Sequence, residues 1–85
     1  MSRIECPVEL GIAGVRGLHA QLLAEMKKSA SVELGLGEVR RLDAAGAQLI
    51  FAAKAAGVRL VEPSADVRAT MAILGLDATL AKEPE

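Results

Sequence analysis

Apolar residues along this chain alternate between two periodicities, and that alternation limits the available folds more than any single motif does. Val32, Leu34 and Leu36 recur at every second position with Glu33 and Gly35 between them, the pattern of a strand with one buried face. Ile12, Val15, Leu18, Leu22 and Met26 recur at spacings of three and four, which draws one apolar stripe along a helix. Arg16, His19, Gln21, Glu25, Lys27 and Lys28 fill much of the remainder of that helix. Read from end to end, the order is strand (3–6), helix (from 12), strand (32–36), helix (44–56), strand (58–61), helix (from 64). Strands separated by helices read as right-handed crossovers between parallel neighbours. The expected class is therefore α/β: a small, mostly parallel or mixed β-sheet with α-helices packed mainly on one face.

Local punctuation agrees with this order. Pro7 stops the first strand because it cannot donate to a ladder, and residues 8–11 lead into the helix with Gly11 as a candidate N-cap. Gly14 and Gly17 each cost that helix up to about 1 kcal/mol relative to Ala, so its first two turns depend on tertiary packing. Gly57 suits a left-handed stop to the second helix, with Val58 folding back over the last turn. Ser64 is the expected N-cap of the third helix and Asp66 the first-turn acid that suits its dipole. Val67, Met71 and Leu74 mark its buried stripe, with Ile73 alongside. Gly75 ends it, Leu76 follows as the apolar contact, and residues 78–80 form a last short strand or turn.

Composition narrows the function. Eighty-five residues, 52% of them hydrophobic, make one core and no second one. Phe51 is the sole aromatic residue, so the core is built from Ala, Leu, Val and Ile, and no stacking platform for single-stranded nucleic acid exists. A net charge of −1 carries no polyanion footprint, and Lys27-Lys28 reads as a solvated helix end. No nucleic-acid partner is expected. The lone Cys6 allows neither an internal disulfide nor a Cys-based metal site. Neither a signal sequence nor an apolar run of membrane-spanning length is present, so a cytoplasmic protein without direct membrane insertion is expected.

The inventory for catalysis is thin. A nucleophile needs a partner base, and the single His, His19, belongs to an amphipathic helix as a surface residue. Cys6 reads as a buried, inert thiol, and Glu5 and Glu9 lie four apart in an extended segment. No catalytic residue, metal or cofactor is assigned. Gly35-Leu36-Gly37 lacks the Gly-Lys-Ser/Thr ending of a phosphate-binding loop, and the dinucleotide fingerprint is missing as well.

The hinge Leu42-Asp43-Ala44-Ala45-Gly46 carries what remains. Asp43 has the type and position of a helix N-cap, its carboxylate accepting the free amides of the first turn. That carboxylate would repel phosphate, which disfavours nucleotide at this helix start. Ala45 and Gly46 add almost no bulk. Leu49, Ala52, Ala53 and Ala56 make a shallow face to lie on the sheet, while Ile50 and Phe51 widen the apolar arc beyond what one layer needs. Asp43, Ala44, Ala45, Gly46, Ala47, Gln48 and Ile50 are the candidate partner-binding residues. The alternative is that the small residues only permit tight helix–sheet packing.

The run Val39-Arg40-Arg41-Leu42-Asp43-Ala44-Ala45-Gly46-Ala47-Gln48-Leu49 resembles the signature of STAS domains, the anti-sigma factor antagonist fold. That signature is a strand, then Asp followed by Ser or Thr, a small residue, Gly, and a Leu-rich helix. The run Val58-Arg59-Leu60-Val61-Glu62-Pro63-Ser64-Ala65-Asp66-Val67-Arg68, closing with Leu74-Gly75-Leu76, is similar to the family's second hallmark. The resemblance implies a single STAS-like domain over residues 1–82 and a binding module in place of an enzyme; the tail at 83–85 is expected to be frayed. In the sigma-regulating members a histidine-kinase-like ATPase, the anti-sigma factor, phosphorylates the hydroxyl directly after the Asp. Phosphorylation adds about −1.5 to −2 charge there. The matching position is Ala44, a degenerate phosphoacceptor, so the resemblance implies a docking surface there without an expected phospho-switch.

A second branch is similar to the small subunit of the Mla lipid-transport system, which binds the ATPase of an ABC transporter and carries Thr at that position. Compact members near chemotaxis or other signalling genes form a third branch, which Gln48 and the short second helix resemble most. The leading expectation is a cytoplasmic signalling module that binds a protein through the start of the second helix. An accessory subunit of an ABC lipid-transporter ATPase and a small anion- or nucleotide-sensing domain are the alternatives.

Overall fold

The two periodicities become short strands and longer helices in a computed structural model, which describes residues 2–80. The order is β1 (Ser2–Glu5), β2 (Glu9–Leu10), α1 (Ile12–Lys28), β3 (Val32–Gly35), β4 (Arg41–Leu42), α2 (Ala44–Ala55), β5 (Arg59–Val61) and α3 (Ala65–Ile73). A one-turn 3-10 helix follows over Asp77–Leu80, where the sequence suggested a strand or turn. The expected tail at 83–85 lies outside the described residues.

Strands β1, β3 and β5 form one parallel sheet in that spatial order, and β2 pairs with β4 as a separate parallel pair. All strand pairing among the described residues is therefore parallel, within the class that the sequence predicts. Each crossover steps in the same direction across the sheet, and crossovers of one hand then place α1 and α2 on the same face. Ile4 and Leu34 stand side by side in register with Leu60. Ile4 and Leu34 pack into one core with Leu18 and Leu22 of α1, Ile50 and Ala53 of α2, and Val67 and Met71 of α3.

The opposite sheet face is charged. Arg3, Glu33 and Arg59 are register partners across the three strands. Arg3 pairs with Glu5 and Glu62, and Arg59 approaches Glu33 at 4.0 Å. Parallel sheets are usually covered on both faces; here ion pairs between long side chains stand in for the second layer.

The caps fall where local chemistry requires them. Gly57 has φ +97° and the Val58 amide donates to the Ala53 carbonyl. Gly75 has φ +74° and the Leu76 amide donates to the Met71 carbonyl. Both are the glycine-terminated helix ends expected. Ser64 accepts from the Val67 amide and donates to the Val39 carbonyl, so one hydroxyl caps α3 and pins the loop before β4.

Three helix faces differ from expectation. Ile12 is 80% exposed, because the first turn of α1 is held by its backbone and the buried stripe starts a turn later. Leu74 and Ile73 are exposed: Gly75 turns the chain at that point, and Leu76 packs against the core in their place. On α2 the buried residues are Gly46, Ala47, Leu49, Ile50 and Ala53, so Ala52 and Ala56 face outward.

Candidate docking site

The hinge places a carboxylate between two helix starts. The Gly46 amide donates to Asp43 Oδ1 at 2.9 Å, which is the N-cap of α2 that the sequence predicts. The Ile12 amide donates to Asp43 Oδ2 at 3.0 Å. Asp43 thus also caps α1, whose own N-cap residue, Gly11, has no side chain to offer. The Gly46 amide, and next the Ile12 amide, hold the Asp43 carboxyl below the ordinary carboxylate range, since each bond favours the charged form.

Two glycines make this convergence possible. A Cβ on Gly11 would come within 2.8 Å of Asp43 Oδ2. A Cβ on Gly46 would overlap the carbonyl oxygen of Leu10 and crowd Leu42, so α2 starts directly against the end of β2. The Asp43 amide, at 3.4 Å from the Leu10 carbonyl, adds to the same seam. Beside it lies a shallow groove of about 350 Å³ lined by Glu9, Leu10, Gly11, Ile12, Ala13, Gly14, Arg41, Leu42 and Asp43. Glu9 and Arg41 pair across it at 3.2 Å.

The candidate residues divide by burial. Asp43, Ala44 and Gln48 are exposed and Ala45 is half-buried, whereas Gly46, Ala47 and Ile50 are buried. Ile50 and Ala47 are core residues and cannot contact a partner, which corrects the sequence reading of both. Gly46 serves the tight packing that the sequence offered as the alternative role for the small residues. The outward face of α2 consists of Ala44, Gln48, Phe51, Ala52 and Ala55, with Phe51 47% exposed. A second shallow notch of about 290 Å³ adjoins that face, lined by Phe51, Lys54, Ala55, Ala78 and Thr79.

The α1 contact of Asp43 had no signal in the sequence. The two residues are 31 positions apart, and neither propensity nor periodicity relates them. The sequence did indicate that the glycine-bearing start of α1 needed tertiary support, and Asp43 supplies it.

Other singled-out residues lie apart from the hinge. His19 is exposed on α1, and Cys6 is buried, its thiol pushed up to about 12 chiefly by burial. Among the described residues, no group of three or more His, Cys, Asp or Glu is placed to hold a metal ion. No helix among them is long and apolar enough to cross a membrane. Nucleotides bind open parallel sheets where the strand order reverses, and the order β1-β3-β5 contains no reversal.

A family model described as "Mlab, STAS domain" matches residues 3–82. No curated protein and no solved structure matches the chain significantly.

Proposed function

The chain belongs to the MlaB-like STAS domain family, and on that premise we propose that it is a non-enzymatic module that docks a protein partner through the outward face of α2. One observation carries this reading. From Ala44 to Ala55 the exposed face of α2 holds Gln48 and apolar side chains, and the one charged residue of the helix, Lys54, comes in its last turn. A helix face turned to water ordinarily carries charge, and apolar residues around one polar group suit a protein interface.

The partner class we favour is the cytoplasmic ATPase subunit of an ABC lipid transporter. The matched family is of the Mlab type, and the MlaB-like small subunit is the branch that binds such an ATPase. On that support we rank the accessory-subunit reading ahead of the signalling reading that the sequence put first. Ala44 is exposed and has no hydroxyl, so docking there would not be switched by phosphorylation at that position.

The test is co-expression with the ABC lipid-transport ATPase of the same cell, followed by size-exclusion chromatography and an affinity measurement. The wild-type chain should co-elute with the ATPase. Ala44→Asp should fold normally yet bind at least about ten-fold more weakly, because it buries an unpaired charge beside Asp43. Unchanged affinity for that variant would remove the start of α2 as the contact. Co-elution with a histidine-kinase-like ATPase instead would return the module to signalling.

A further inference from the structure

The geometry points to Asp43 as a positioning residue: its one carboxylate ties the start of α1 to the start of the docking helix, α2, and fixes the angle at which α2 is presented. This rests on the docking role proposed for α2. Both carboxylate oxygens are committed, Oδ1 to the Gly46 amide and Oδ2 to the Ile12 amide. Neither is left as the first choice for a partner's donor. Three further observations converge on the same seam. The missing side chain of Gly11 leaves room for Oδ2, the missing side chain of Gly46 lets α2 abut the Leu10 carbonyl, and the Asp43 amide reaches that carbonyl too. A residue needed only to cap α2 would require none of these.

Capping and tying can be separated. In Gly11→Ser combined with Asp43→Ser, each helix receives its own local cap. The crowding that bars a side chain at Gly11 comes from the Asp43 carboxylate, which the second substitution removes. The double variant should recover most of the stability lost in Asp43→Ala, because both first turns are capped again. It should not recover the tie. Partner affinity should therefore stay about five-fold or more below wild type, the lower range of coupling between linked sites.

A second readout needs no partner. In a pH titration followed by NMR, the Ile12 and Gly46 amide resonances should move together with one midpoint, below the ordinary carboxylate range. The carboxyl's folded-state value lies below its unfolded one. The tie is thus complete above the unfolded value and lost as pH falls through the folded one. Glu9 and Arg41 face the same groove, and the first turns of α1 and α2 carry no charged residue. Glu9→Gln should leave the shared midpoint in place.

An Ile12 amide that does not follow the Gly46 amide overturns the tie. So does a double variant that regains wild-type affinity, for then Asp43 acts as a cap alone. If the wild-type chain binds no ATPase, the docking reading falls, and the amide titration still decides the tie.

Discussion

Gly17 and Gly46 are both helical, and the same substitution should act on them with opposite sign. Nothing lies within 4 Å of the point where a methyl group on Gly17 would stand, so Gly17→Ala should stabilise the chain by up to about 1 kcal/mol through helix propensity alone. At Gly46 the methyl would overlap the Leu10 carbonyl oxygen, which is backbone and cannot turn aside. Gly46→Ala should destabilise by about 1–3 kcal/mol, the range for overpacking. Urea denaturation of the two variants checks the pair, and a Gly46→Ala midpoint at or above wild type would show that α2 is free to lift from β2. The sequence marked both glycines as helical but could not rank them. Propensity is a property of one residue, whereas the Leu10 carbonyl arrives from a segment 36 positions away.

At the scale of elements, the ends were legible and the faces only partly so. A helix end is set by local chemistry, which is why Gly57, Ser64, Gly75 and the α2 cap of Asp43 could be read from neighbouring residues. A helix face depends on how the cylinder is rolled, and an Ala-rich helix gives little contrast to fix that roll. The sequence therefore put Ala52 and Ala56 inside and left Ile50 for a partner, although the bulkier Ile50 fills the core. Ser64 shows how an end becomes more than local. Its Oγ accepts from the Val67 amide at 3.2 Å and donates to the Val39 carbonyl at 2.7 Å, and both bonds are buried. Ser64→Ala removes the cap and leaves the Val39 carbonyl unsatisfied, so it should cost about 1–3 kcal/mol. The loss should appear in a urea titration together with faster hydrogen exchange at the Val67 amide. Asp66→Ala, which removes an exposed first-turn acid and its 3.9 Å solvent-exposed approach to Arg40, should cost clearly less. Equal costs would mean that the buried Ser64 hydroxyl, cap and Val39 bond together, contributes no more than an exposed first-turn charge.

At the scale of the molecule, one directional choice has two consequences. Because the strand order β1-β3-β5 never reverses, crossovers of one hand put α1 and α2 on one face, and among the described residues the sheet offers no crevice between crossover helices of opposite faces. The sequence anticipated helices on one face from the number of strands, but the chemistry of the other face needed the register. Only the alignment of Arg3, Glu33 and Arg59 shows that their charges alternate across the strands. That row gives the sheet a hydrated surface where a parallel sheet would otherwise demand a layer. If so, Arg3→Val, Glu33→Val and Arg59→Val together should create a flat apolar face and drive concentration-dependent self-association, seen as a rising mass in light scattering. Replacing the same three residues by Gln removes the charges but keeps the face polar, and should leave the mass at the wild-type value. A valine triple variant whose mass matches wild type at every concentration would mean that apolar area on this face does not promote self-association. The charges would then be neutralising one another without keeping the sheet apart from its copies.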